Sequence, residues 1–442
     1  YNPMFLREVK RVSAQGSALY KHTFEEYDLD GNLTQEHLIG NLGTVAYATD
    51  ARGQRTQIVS PYFSQECKYN SVQNLVSSTT DRAESRYQYD DASQMIREES
   101  AGGSTTYCND SLYNRTQKNE SLYEVNTLNE LLSDGKTTYE YDLRGNQVLK
   151  KTGSDQWQMV YDPLNQLIEV KSQEQKIEFI YDPLGRRLAK VISTKAGYGW
   201  EESDREYYIY DGEEEIGSFK SPNTLESLRV LSTHRLPKTI GIEMGGKTFA
   251  PLTDVQGNIR RLVDLQSKTL ATSYDFTAFG EKLQTNPKED LQSPWQFASK
   301  RFDPSLGLIY FGKRYYDPRI GRWMTTDPAE FVDGTNLYQF LFNNPYGYVD
   351  PDGQFVFIVP LIAWGIGAAA PTLAAIGTYI AAGVATGAIA YGGYKLYESY
   401  QHGQLTDDAY AWYYRPSDSS NLEIRNMCQI DENLKDAHLS YT

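Results

Sequence analysis

At 442 residues the chain is long enough to bury more than one core, so two or three structural parts are expected. Its 58 acidic against 43 basic side chains leave a formal charge of −15, which speaks against nucleic acid: phosphates are gathered by a basic face, and here Lys and Arg are outnumbered and evenly spread. Cys67, Cys108 and Cys428 stand far apart without a Cys-x-x-Cys, which excludes a dense disulfide framework and a cysteine metal site. His22, His37, His234, His402 and His438 are scattered singly and read as packing or surface residues, and no cofactor motif is present. The chain opens Tyr-Asn-Pro without a signal peptide, so a piece of a longer polypeptide is expected.

Tyrosine, at 35 residues, is the compositional outlier, and with 34 Gly it predicts many short strands joined by turns. The tyrosines fall in a repeat. Tyr141 in YDLRGNQ, Tyr161 in YDPLNQL and Tyr181 in YDPLGRRL stand twenty residues apart. Tyr27 (YDLDGNL), Tyr69 (YNSVQNL) and Tyr89 (YDDASQM) precede them, and Thr49 and Asn109 open degenerate copies at the same phase. The interval shortens to sixteen at Val125. In KIEFIYDPLGRRLAKV, Ile177, Phe179 and Tyr181 share one parity and Lys176 and Glu178 the other, the period of a half-buried strand. Asp182-Pro183-Leu184-Gly185 is then a turn, with Asp bonding the backbone ahead and Gly accepting a positive φ. Each unit is a hairpin that cannot bury its apolar side alone and must pair edge to edge with its neighbours into one long curling sheet.

This twenty-residue Tyr-Asp phase, over roughly residues 20 to 354, resembles the YD-repeat or RHS family of bacterial polymorphic toxins, insecticidal toxin complexes and teneurins. The resemblance implies a mainly β protein whose antiparallel hairpins spiral into a shell, a partial cocoon, around a C-terminal cargo. The later units loosen, at Tyr207–Phe219, Thr253–Asp264 and Ser273–Leu283, as the last turns before a plug. The units present are fewer than a closed shell takes, so more wall is expected on residues preceding Tyr1.

Residues 291–354 are similar to the RHS core-associated module, through Tyr315-Tyr316-Asp317-Pro318, Gly321-Arg322-Trp323, Asn336-Leu337-Tyr338 and Asn344-Pro345. In exported members that module plugs the shell and cuts its own chain with the aspartates of two Asp-Pro motifs. By position these are Asp327 and Asp350, with Arg322 the candidate to orient or neutralise the first and the cut expected between Gln354 and Phe355. Such a pair must lie close enough to share a proton, one carboxylate activating water and the other acting as acid. This chain departs from the family pattern in having Glu330 where the first motif usually has Gly, and Gln354 where an apolar residue usually follows the last Gly. The plain alternative is that both motifs are only turns.

The remainder divides into a hydrophobic Ala/Gly-rich segment, 355–398, and a polar extension, 399–442, together expected to form a short, mainly α-helical tail. Residues 355–394 carry no charge and are long enough to cross a bilayer twice, with Pro371 near the bend and Gly383 and Gly387 at small-residue spacing. The same composition suits a helical hairpin packed on the plug or wall, and both readings stand. The organisation expected is thus a YD-repeat shell over 1–290, the plug, and this tail as cargo. Its partners would be its own extension, a secretion or toxin-complex component and an immunity protein, with no nucleic acid, in an exported, secreted or surface setting. The competing function is a non-cleaving adhesive scaffold of the teneurin or wall-associated type.

Overall fold

The computed structural model describes residues 6–13, 16–100, 102–221, 224–232, 238–283, 291–358 and 439–441. These are almost entirely antiparallel β-structure, with only short 3-10 turns beside it. Two long sheets carry the ribbon. The first takes its strands in chain order from Glu8–Val12 to Ser121–Leu122, with Leu439–Tyr441 beside its first strand; the second runs from Glu124–Val125 to Leu270–Ser273, also in chain order. Within each sheet consecutive strands pair with their neighbours, but the one long sheet expected from the repeat is broken in two between Leu122 and Glu124.

One hairpin shows how the sequence builds the wall. Gln175–Tyr181 pairs with Arg187–Ala196, Ile177 opposite Ile192, and the register shifts between Ile180 and Tyr181 as the chain enters the corner. Ile177 and Phe179 point into the core while Ile180 faces out, so the predicted parity holds. At the corner Asp182 Oδ1 accepts the N–H groups of Leu184 and Arg186, both at 2.9 Å, and the Gly185 N–H returns to the Asp182 carbonyl with φ +79°. The same pair of bonds recurs at Asp28, Asp50, Asn70, Asp90, Asp110, Asn126, Asp142, Asp162 and Asp254.

The tyrosine before the corner ties one hairpin to the strand before it. The hydroxyls of Tyr69, Tyr89 and Tyr181 donate at 2.9 Å to the carbonyls of Arg55, Leu75 and Leu167, fourteen residues upstream in each case. In the degenerate copy the Asn109 amide makes the equivalent bond to Met95. Tyrosine recurs because this position needs a buried aromatic body with a donor at its tip.

The ribbon winds back on itself. Tyr20 bonds Glu243 at 2.7 Å, Gln65 Oε1 accepts the Val255 N–H, Arg261 meets Asp81, and Glu98 accepts the Ala278 N–H at 2.7 Å, so the last strands run in order along the first sheet. At this seam His22, predicted to be a packing residue, is buried against Glu36, which also binds Lys238 and Tyr47. His234, His402 and His438 lie outside the described residues.

Residues 291–354, expected to be a plug, pack against strands of both sheets. A four-stranded sheet, Arg301–Asp303, Leu308–Tyr310, Tyr315–Asp317 and Arg322–Trp323, places Tyr316, Trp323, Phe311 and Phe340 in one aromatic cluster, with Tyr316 and Phe340 centroids 4.0 Å apart. One face joins the core of the first sheet, and Leu308, Tyr310, Tyr315 and Met324 join Met159, Ile177 and Phe179 of the second. Burying each of these large side chains contributes about 1.5–3 kcal/mol. Of the expected helical, membrane-seeking tail, residues 359–438 and 442 lie outside the described residues, and the described parts Phe357–Ile358 and Leu439–Tyr441 are short strands; among the described residues, no helix is long and apolar enough to cross a membrane.

Candidate functional site

The segment expected to be the plug is hydrogen-bonded to the corners. At most corners the fourth residue after the Asp or Asn is buried, and several of these Asn and Gln side chains receive an amide of the 291–354 segment. Asn344 donates to Asn74 Oδ1, Asn343 to Gln94 Oε1 and Asn336 to Asn114 Oδ1, at 2.8 to 3.0 Å. The Tyr338 hydroxyl reaches the Gly145 carbonyl at 2.8 Å, and Asn258 Oδ1 accepts the Ala298 N–H at 2.7 Å. The Asn-Leu-Tyr and Asn-Asn-Pro motifs are therefore the plug's grip on the wall. That grip fixes the chain between Asp327 and Asp350.

Both aspartates are buried, and they converge on one nitrogen. Arg314 Nη2 lies 2.7 Å from Asp327 Oδ2 and 3.4 Å from Asp350 Oδ2. The guanidinium is itself buried, lies over the Trp323 ring at 4.2 Å, and donates from Nε to the Gly353 carbonyl at 2.5 Å. Arg322, expected to serve Asp327, does not touch it. It binds Asn114 Oδ1 at 3.0 Å and the Asn129 carbonyl, over the Tyr338 ring, because its strand faces the corners at 110 and 126. The arginine at the pair is Arg314, which the sequence reading missed; its one signal was an Arg directly before the Tyr-Tyr-Asp-Pro run.

Each aspartate is also set by its own turn. Asp327 Oδ1 accepts the Ala329 N–H at 2.8 Å, and Glu330 N–H returns to the Asp327 carbonyl at 3.0 Å with Glu330 at φ +58°. Replacing the usual Gly by Glu330 thus leaves the turn formed and puts a side chain in left-handed backbone. Asp350 Oδ1 accepts the N–H groups of Asp352, Gly353 and Gln354 at 3.3, 2.7 and 3.0 Å. Gly353 sits at φ +82°, and a Cβ there would meet Phe311 and the Arg314 backbone at 3.2 Å, so the last motif's glycine is required on both counts.

Burial raises the Asp350 carboxyl; Arg314 and the backbone donors oppose this without cancelling it, and the group titrates at about 7. Burial also raises Asp327, against the pull of Arg314. A third carboxyl, Asp333, is pushed up by burial to about 6 while its Oδ2 accepts the Val356 N–H at 2.9 Å. Two carboxyls that flank one cation and are both raised by burial can provide an acid and a base together.

A family model described as the teneurin YD-shell matches residues 62–346, well over half of the chain. The chain belongs to the teneurin YD-shell family. The YD-shell match includes Asp327 and stops four residues before Asp350. Among curated relatives of this YD-shell protein, the tRNA3(Ser)-specific nuclease WapA of Bacillus spizizenii is 26% identical over 288 residues, 61% of this chain and 12% of that protein. Toxin subunit YenC1 of Yersinia entomophaga is 23% identical over 408 residues, 73% of this chain and 41% of that protein. The chain therefore spans less than half the length of these relatives. The solved structure of TcdB2-TccC3-TEV aligns with 78% of this chain and 21% of that chain, at 18% identity and a TM-score of 0.49. The RHS resemblance is thus shown, and the chain is a YD-shell scaffold of the RHS type.

Proposed function

We propose that this YD-shell segment encloses and presents the residues that follow it, and that its plug releases them by cutting between Gln354 and Phe355. The observation that carries this reading is the convergence of buried Asp327 and Asp350 on Arg314 Nη2, with Asp350 Oδ1 holding the Gln354 N–H beside the bond to be cut. In the proposed step the ionised carboxylate of the pair takes a proton from water, whose oxygen attacks the Gln354 carbonyl carbon. The protonated carboxyl gives its proton to the departing Phe355 nitrogen, the C–N bond breaks, and the products are a Gln354 carboxylate and a Phe355 amine. Arg314 limits the repulsion that would otherwise drive the two carboxyls apart.

Support for a released extension comes from the relatives, one named a nuclease and one a toxin subunit, each much longer than the part it shares with this chain. On this reading the extension is an exported effector, with toxin-complex subunits and an immunity protein as partners and residues 355–394 as its membrane-contacting part. The experiment is denaturing electrophoresis and mass analysis of the freshly made full chain. An 88-residue fragment beginning at Phe355 is expected, absent in Asp327→Asn and in Asp350→Asn. A folded wild-type chain that stays intact would overturn processing and leave a non-cleaving scaffold. Leakage of vesicles by the fragment, above a scrambled control, tests the membrane part.

A further inference from the structure

The peptide between Gln354 and Phe355 is held from both sides. Upstream, the Gln354 N–H is accepted by Asp350 Oδ1 at 3.0 Å and by Asp352 Oδ1 at 3.2 Å. Downstream, the Val356 N–H is accepted by Asp333 Oδ2 at 2.9 Å. The two held amides are two residues apart, with the proposed scissile bond between them.

Asp333 is placed for this by the same turn that places Asp327. The chain leaves Asp327 through the Ala329 and Glu330 bonds, runs into the 3-10 turn Glu330–Asp333, and ends at Gly334, φ +118°, whose N–H returns to Phe331. A shift of Asp327 would therefore carry the downstream anchor with it. Nothing in the Asp-Pro motifs marks Asp333, which lies between them and belongs to neither.

We infer that Asp333 is a positioning residue, which clamps the leaving side of the Gln354–Phe355 peptide through the Val356 N–H so that this bond, and not a neighbour, faces the Asp327/Asp350 pair. The inference rests on the self-cleavage proposed above. Its physical basis is orientation: a reacting carbonyl displaced by about 1 Å loses on the order of a hundredfold in rate. A strand fixed at one end only can slide past the pair. The acceptor oxygen does the holding, so a neutral side chain with an oxygen in the same place should serve.

The test follows pulse-labelled full chain after synthesis, recording the rate of fragment appearance and the mass of its N-terminus. Asp333→Ala should slow release about tenfold or more and give mixed termini around Phe355. Asp333→Asn, which keeps an acceptor oxygen, should stay within about threefold of wild type and give the single Phe355 terminus. Melting of Asp333→Ala, measured in the uncut Asp327→Asn background, should match that background, separating positioning from unfolding. An Ala variant that cuts at the wild-type rate and at one site overturns the clamp, as does an Asn variant as slow as Ala with unchanged melting. A wild-type chain that is never cut, or an Asp327→Asn chain cut normally, overturns the self-cleavage reading and the clamp with it.

Discussion

Asp142, in a wall corner, and Asp350, in the plug, make nearly the same turn and have opposite electrostatic fates. Asp142 Oδ1 accepts the N–H groups two and four residues ahead at 2.9 Å, and Asp350 Oδ1 accepts those two, three and four ahead. The difference lies at the second oxygen. Asp142 Oδ2 receives the Asn146 side-chain amide at 3.0 Å, whereas Asp350 Oδ2 has Arg314 at 3.4 Å. At Asp142 a modest burial penalty is outweighed by the Asn146 and Arg144 donors, and the carboxyl sits below its usual range. At Asp350 burial wins and the carboxyl rises to about 7. Turn geometry is therefore neutral about chemistry; what surrounds the free oxygen decides between a rivet and a candidate acid.

The sharpest way to break this comparison is to make the same substitution at both places. Asn keeps the Oδ1 acceptor and removes the ionisable oxygen. The wall already uses it, since Asn70 and Asn126 hold their corners with the same bonds. Asp142→Asn should leave fragment release unchanged and cost less than about 1 kcal/mol in urea melts. Asp350→Asn should abolish release with the fold intact, read by electrophoresis and circular dichroism. Equal release from both variants would place the plug aspartate among the rivets.

The next effect is on stability against pH, where the two kinds of aspartate pull in opposite directions. Asp350 and Asp333 have folded values raised to about 7 and about 6, so between pH 4 and pH 7 the folded chain holds protons that the unfolded chain has lost. Their contribution is fully present below the unfolded value and fades as pH rises through the folded one. For lowered groups such as Asp28 and Asp142 it is present above the unfolded value and fades as pH falls. Unfolding free energies from urea melts between pH 4.5 and pH 8 should fall less in Asp350→Asn than in wild type, by up to roughly 3 kcal/mol. Parallel curves would show that Asp350 is not held neutral.

Most of the wall was legible because its information is local. A Tyr, an Asp, a left-handed residue and alternating apolar positions each specify their own few bonds, and the copies at 141, 161 and 181 repeat the specification. The plug's grip was legible only as motifs: nothing in Asn336 or Asn343 announces Asn114 or Gln94, more than two hundred residues earlier in the chain. The arginine was misplaced for the same reason. Arg322 is near Asp327 in sequence, but its strand presents it to the corners, while Arg314 reaches the pair through a fold of the chain that spacing does not encode.

A smaller effect tests the tyrosine side of the rivet. Tyr181→Phe removes only the hydroxyl that reaches the Leu167 carbonyl and leaves that buried acceptor unmet, so it should cost about 1 kcal/mol in a urea melt without touching release. Tyr161, whose buried hydroxyl has no such partner, offers the matched control: Tyr161→Phe should cost less.

The smallest effect sharpens the comparison from the plug side. Corners at Gly31, Gly145 and Gly185 place glycine at the left-handed position, and the Asp327 turn places Glu330 there at φ +58°. An ordinary side chain in that region costs roughly 1 kcal/mol, and the turn's two bonds persist in spite of it, as they do at the wall corners that place Gln73, Ser93 and Tyr113 there. Glu330→Gly should therefore raise the unfolding free energy from urea melts by up to about 1 kcal/mol and leave the rate of release within about twofold. A large gain in rate would mean that the strain reaches Asp327 itself, and that the turn, unlike the wall corners, is not yet at its resting geometry.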